Sequence, residues 1–249
     1  MDIAVAEWGA GPRVVLVHGA LASGESAWRR QRPLGERWNL VVPSRRGYVP
    51  NPPADSSDFD VDADDVAELL GEGAHLVGHS YGGLVATLAA ARRPDAVWSL
   101  CLLEPATMAL LPDDPDVARD AAQHAHRQRT VTDPREFLVG FLAMIGAPPA
   151  DLPDPLPPDL AQHTRVLMGE RPPFDAVIPS ESLATAEFPK LVVSGGHDPI
   201  QERTCDATAA AFGAERASLV GAGHQVPRAD GCNELLEGLW VTRSRTGVN

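Results

Sequence analysis

The sequence predicts an α/β domain: a doubly wound, mainly parallel sheet flanked by helices, with a mainly helical cap insertion. Three observations carry this expectation. Short, continuous apolar runs recur along the 249 residues, helix-like segments alternate with them, and the stretch 105–187 is proline-rich and helical in pattern without a strand-like run. Runs that are apolar at every position suit strands covered on both faces, whereas a strand with one wet face alternates. Alternation of strand and helix then requires right-handed crossovers, which lay helices on both sides of the sheet.

In chain order, residues 2–7 are expected as an antiparallel edge strand, and the central strands at 14–17, 40–42, 75–77, 98–103, 190–194 and 217–220. Helices are expected at 25–37, 61–70, 83–92, 203–212 and 233–241. Within the insertion, Asp133-Pro134 is an N-cap and first-turn pair, after which Phe137, Leu138, Phe141, Leu142 and Ile145 recur at helical spacing. That stripe either fixes the insertion to the sheet domain or lines an apolar pocket. Residues 147–158 read as a rigid proline-rich connector. The expected organisation is a core domain of 1–104 with 188–249, and a helical cap of 105–187.

Composition bounds the chemistry. At 44% hydrophobic and 22% charged residues, the chain can bury a sizeable core. A net charge of -13 disfavours nucleic acid, anionic membranes and polyanionic substrates, whose recognition relies on clustered Lys and Arg. Cys101, Cys205 and Cys232 are too widely spaced for a disulfide framework or a zinc site. No apolar run nears the roughly 20 residues of a membrane span, and the N-terminus lacks the pattern of a secretory signal. A cytoplasmic protein acting on a small molecule is expected, with its oligomeric state open.

The segment LVGHSYGG, residues 76–83, sets Ser80 in a G-x-S-x-G pattern between an apolar run and a helix that stops at Pro94. There the serine occupies a sharp strand-to-helix turn, and Gly78 and Gly82 are needed because a Cβ at either place collides across it. A serine hydroxyl also needs an imidazole to take its proton and a carboxylate to orient that imidazole. Among eight histidines, His224 in GAGHQVP follows the run ASLV, so its loop reaches the carboxyl end of the sheet. His79 adjoins the serine and is expected to project away from its hydroxyl, and His18 is read as shaping a turn. His124, His126 and His163 fall in the insertion. Asp198, in SGGHDP after KLVVS, is the expected orienting acid, with Glu104 at the end of WSLCLL as the alternative. Asp198 before Pro199 also suits a helix N-cap. The backbone N–H groups of Tyr81 and of Ala20, in HGA after VVLV, are the expected oxyanion donors.

HGA, GHSYGG, GGHDP and GAGHQVP, in this order and at these strand ends, resemble the α/β-hydrolase superfamily over nearly the whole chain. The resemblance implies a triad of Ser80, Asp198 and His224, an oxyanion hole at Ala20 and Tyr81, and a cap inserted between two strands. Many relatives carry a D-x-R-G-x-G-x-S run, whereas this chain reads PSRRGYVPNPP with Ser44 at the aspartate's place. Only Arg46 and Gly47 stay recognisable, so the bonding of that loop is open. Serine at the elbow implies acyl transfer rather than the aspartate chemistry of dehalogenases and epoxide hydrolases, with neither metal nor cofactor. Met108, Leu110, Leu111, Phe141, Met144 and Phe174 suggest an apolar pocket under the cap. The expected reaction is hydrolysis of a small to medium uncharged ester, lactone or thioester. The alternatives on the same triad are C–C bond hydrolysis, hydroxynitrile-lyase-like cleavage and a slow-turnover ligand receptor.

Overall fold

The computed structural model describes residues 3–147 and 152–244. Asp2 and residues 148–151 of the proline-rich connector lie outside the described residues. Within them, β1 (Val5–Trp8), β2 (Arg13–Val17), β3 (Asn39–Pro43), β4 (Ala74–His79), β5 (Val97–Leu103), β6 (Lys190–Ser194) and β7 (Glu215–Ser218) form one seven-stranded sheet. Its order is β1-β3-β2-β4-β5-β6-β7. Only β1 runs antiparallel, at the edge beside β3; the other pairs are parallel.

Successive side chains of a strand point to opposite faces, and both faces are covered here, which is why the runs are apolar throughout. Val15, Val17, Val41, Leu76 and Leu100 pack beneath helices α2 (Phe59–Leu69), α3 (Tyr81–Arg92) and α8 (Pro199–Phe212). Val14, Leu16, Leu40, Val42 and Val77 pack on the other side against Trp28, Trp38 and the helix α9 (Cys232–Ser244), through Leu236 and Trp240. Burying a Val or Leu side chain stabilises the fold by about 1.5–3 kcal/mol, so a polar substitution on either face of β2 or β4 is costly. The three cysteines are free and buried, and no described helix is long and apolar enough to cross a membrane.

Two expected helices differ most. The helix expected over 25–37 is a single turn, α1 (Gly24–Ala27), followed by a 3-10 turn at Arg32–Glu36. Pro33 has no N–H to donate, so an α-helical ladder cannot run through it. The helix expected from residue 203 begins four residues earlier, at Pro199, with Asp198 as its N-cap. Proline at the first helical position and aspartate before it are both favourable there, and this shift decides the fate of one candidate acid.

Between β5 and β6 the chain forms a 3-10 turn at Met108–Leu110, then α4 (Pro115–Thr130), α5 (Pro134–Met144), α6 (Pro158–Gly169), a 3-10 turn at Pro173–Asp175 and α7 (Ser180–Thr185). Asp133 caps α5 as its sequence implies, accepting from the N–H of Glu136 at 2.8 Å. Phe137 and Leu138 of the apolar stripe are buried.

Candidate active site

Ser80 joins β4 to α3 in a backbone conformation rare for a residue with a side chain, φ 55° and ψ -125°. The surroundings hold it there. Ser80 N–H donates to Leu103 O at 3.0 Å, while its carbonyl accepts from Gly83 and Ala106. A Cβ on Gly82 would strike the carbonyls of Val17 and His18, and one on Gly78 would strike the carbonyl of Gly82. The glycines thus let β4, α3 and the loop after β2 crowd together at the serine. Glu104 (φ 42°), which directly follows β5, and Leu21 (φ 64°), which follows Ala20, are the other non-glycine residues with positive φ among those described. Strained backbone of this kind persists only where the fold over-determines it, and it gathers at functional sites; all three instances lie at or beside this one.

Ser80 Oγ is 3.0 Å from His224 Nε2, and His224 Nδ1 is 2.7 Å from Glu104 Oε2. The carboxylate can only accept, so Nδ1 carries the proton and Nε2 presents a lone pair to the hydroxyl. Glu104 is fully buried, and its Oε1 accepts from Gly195 N–H at 2.6 Å. The loop after β7 is pinned too: His79 Nε2–H donates to the His224 carbonyl at 2.7 Å. Burial first, and then the neighbouring His224, lower the His79 pKa to about 3, so this ring stays neutral. It braces the backbone beneath His224.

The expected role of Asp198 is corrected by these contacts. Its Oδ1 accepts from the N–H groups of Ile200 and Gln201 at 2.8 and 2.9 Å, so it caps α8 rather than meeting His224. The strand before it, β6, instead delivers the backbone N–H of Gly195 to Glu104. The alternative acid, Glu104, occupies the place against the imidazole.

Ala20 and Tyr81 line the cavity at Ser80, together with Met108, Phe141, Met144 and Phe174. Tyr81 opens α3, where helix N–H groups have no partner within the helix. Leu111 closes the turn after Met108, donating to its carbonyl at 2.9 Å, and is not among the residues lining the cavity. The cavity also reaches His124 and Glu170, which sequence reasoning passed over as site residues. Burial, followed by Arg127, lowers the His124 pKa to about 4; burial raises the Glu170 carboxyl to about 7 in spite of Arg45 beside it. Nothing in the local sequence marked Glu170, because it reaches the site only through the packing of α6.

Glu104, His197 and His224 bring possible metal donors within 4.8 Å of one another. A cation there would have to break the short bond between His224 and Glu104, so the arrangement suits proton transfer better than coordination.

The model of the alpha/beta hydrolase family matches residues 14–235. A pimeloyl-[acyl-carrier protein] methyl ester esterase from Chromobacterium violaceum is 31% identical over 215 residues, 80% of this chain and 81% of that protein. Lipase LipV of Mycobacterium tuberculosis is 37% identical over 112 residues, 43% of this chain and 42% of that one. Among solved structures, an alpha/beta hydrolase from Sphaerobacter thermophilus superposes with a TM-score of 0.64 at 26% identity, covering 94% of this chain and 95% of its own.

Proposed function

The chain belongs to the alpha/beta hydrolase family, and on that premise we propose that it hydrolyses a small to medium uncharged carboxylic ester, lactone or thioester through an acyl-enzyme on Ser80. One observation carries the reading: the continuous relay from Ser80 Oγ to His224 at 3.0 Å and from His224 to the buried Glu104 at 2.7 Å. A hydroxyl becomes a competent nucleophile when a neutral imidazole accepts its proton and an adjacent carboxylate stabilises the imidazolium that results.

In this reading Ser80 Oγ attacks the ester carbonyl as its proton passes to His224 Nε2. The carbonyl oxygen gains charge opposite the N–H groups of Ala20 and Tyr81, where fixed donors lower the barrier most. The tetrahedral species collapses, the alcohol leaves with the proton from His224, and the acyl group stays on Ser80. A water then repeats the attack with His224 as base, releasing the acid. Residues 105–187 act as the cap over Ser80.

The cavity, about 60 Å³, has room for a handful of heavy atoms, and Met108, Phe141, Met144 and Phe174 give it an apolar wall. This supports a compact uncharged group at the reacting end. The net charge of -13 opposes acidic substrates. The relatives named as a methyl ester esterase and a lipase fall in the same reaction class.

The test is a panel of esters of graded acyl length, run with wild type and Ser80→Ala, with intact-mass detection of a fluorophosphonate adduct. The expected result is turnover of short esters, a single adduct on Ser80, and a loss of at least about 10⁴-fold on Ser80→Ala. A Ser80→Ala protein as fast as wild type overturns the proposal.

A further inference from the structure

The loop whose bonding the sequence left open holds a guanidinium in the protein interior. Arg45 is 2% exposed and lies between two aromatic rings, 4.6 Å from the centre of Tyr48 and 4.5 Å from that of Tyr81. Its Nη1 donates to Asp62 at 2.8 Å and to Ser57 at 3.1 Å. Nη2 donates to Glu170 at 2.9 Å and to Gly19 O at 3.3 Å, and Nε donates to His18 O at 3.2 Å. A desolvated cation is tolerated only when paired and fully bonded. Here part of that bonding goes to the two carbonyls just before Ala20.

His18 works on the same carbonyl. Arg45 N–H donates to His18 Nε2 at 2.8 Å, which fixes the proton on Nδ1, and Nδ1–H donates to Gly19 O at 2.7 Å. Gly19 O therefore accepts from two donors. In a trans peptide the carbonyl and the following N–H point in opposite directions, so drawing Gly19 O toward Arg45 and His18 turns Ala20 N–H the other way. Ala20 lines the cavity at Ser80. Hydrogen bonds to a carbonyl also polarise the N–H of the same peptide, since linked bonds strengthen one another.

We propose that Arg45 is a positioning residue that, with His18, aims and polarises the Ala20 N–H as an oxyanion donor, and that Glu170 of the insertion holds Arg45 in place. This rests on the proposed function, in which Ala20 N–H meets the developing charge. It also links the seating of the insertion to the barrier of the reaction, because Glu170 follows α6 and its carboxylate is one of the two that anchor the guanidinium. Glu170 accepts from Tyr48 OH as well, at 3.4 Å, so the latch spans both sides of the loop. Arg46, next in sequence, points elsewhere: it pairs with Asp65 at 2.7 Å and is partly exposed.

The experiment compares Arg45→Met, Arg45→Lys and Glu170→Gln with wild type, using Arg46→Met as a control within the same loop. Each is assayed on the best ester of the panel for kcat and KM, and for inhibition by a trifluoromethyl ketone, whose adduct with Ser80 places a charged oxygen where the reaction places one. The expected result is a kcat about 10- to 100-fold lower for Arg45→Met, less than the roughly 10²- to 10³-fold cost of removing an oxyanion donor outright, because the Ala20 N–H is misaimed rather than lost. KM should move less than about 3-fold and the ketone should weaken in proportion to kcat/KM. Arg45→Lys keeps the charge but cannot span both carbonyls and both acids, so it falls between. Glu170→Gln keeps the shape and loses about 3- to 10-fold, in kcat again, and Arg46→Met leaves kcat and ketone affinity unchanged. If Arg45→Met does not fold, the kinetics of Glu170→Gln decide between the two outcomes. Unchanged kcat and ketone affinity in folded Arg45→Met and Glu170→Gln overturns the inference, and so does a loss confined to KM. A Ser80→Ala protein with wild-type activity overturns the functional reading and this inference together.

Discussion

Two neighbouring strand ends each carry a carboxylate, and they use it differently. Glu104 directly follows β5, with a positive φ and a fully buried side chain, bonded to His224 on one oxygen and to Gly195 N–H on the other. Asp198, four residues past the end of β6, spends its carboxylate on the first turn of α8. The first end orients an imidazole; the second starts a helix and supplies a backbone N–H. A carboxylate near a strand end is thus only half of a functional assignment. The other half is what competes for it, and an unpartnered helix N-terminus two residues away competes strongly.

The comparison breaks most decisively if the two acids are exchanged in effect. Glu104→Gln is expected to lower kcat by about 10³- to 10⁴-fold, because the amide no longer stabilises an imidazolium; steady-state kinetics on a purified, folded variant decides it. Wild-type activity in Glu104→Gln together with a comparable loss in Asp198→Asn would reverse the assignment.

Acidity probes the buried imidazoles around the cavity at Ser80. Burial, the largest cause, depresses the pKa values of His18, His79 and His124 below the ordinary 6.5. In the unfolded chain these rings take up protons near pH 6.5, while in the folded protein they do not. Stability is therefore fully present above that pH and is lost as pH falls below it. Glu170, raised to about 7, holds a proton in the folded state that the unfolded chain has released above pH 4.5, and this offsets one of the three. His163, also buried and lowered, acts in the same sense as the other rings, so the histidines outweigh the one carboxyl and stability falls between pH 6 and 5. Urea melts at pH 7, 6 and 5 check it; a midpoint that rises as pH falls would contradict the burial of these rings.

Gly195 sharpens the contrast from the β6 side. A Cβ there would strike the carbonyl of Gly223, the residue before His224, so Gly195→Ala is expected to displace the imidazole by a fraction of an ångström to an ångström. A misplacement of that size costs up to about 10²-fold in kcat, measurable on the same ester. Asp198→Ala should give the smallest effect. It loses the cap of α8 and about 1 kcal/mol of stability, while kcat changes by less than about 3-fold. Thermal unfolding and kinetics on one preparation separate the two.

Much of the scaffold was legible because its signals are local. The elbow showed itself through Gly78, Ser80 and Gly82, whose spacing answers to crowding within one turn. The inner strands showed themselves as largely apolar runs, since both sheet faces are covered there, whereas the edge strand β7 is polar and carries no buried residue. His224 was legible by its place after a strand-like run, although that strand, β7, lies at Glu215–Ser218, two residues earlier than expected. The loop at Arg45 and the role of Glu170 were not legible, because their bonds span up to 125 positions of sequence and no periodicity records such a meeting. The positive φ of Glu104 left no trace either, since glutamate is not a residue that advertises that conformation.

The sequence by itself determined the alternation of strand and helix, the glycine-flanked serine and the histidine that faces it, because each depends on backbone geometry within one turn or on burial of one run. Only the tertiary structure decided which acid faces His224, where the pocket wall comes from and what Arg45 holds. Those outcomes depend on which loops arrive at the same strand ends and on which donors reach a carboxylate first, and that competition exists only once the chain has folded.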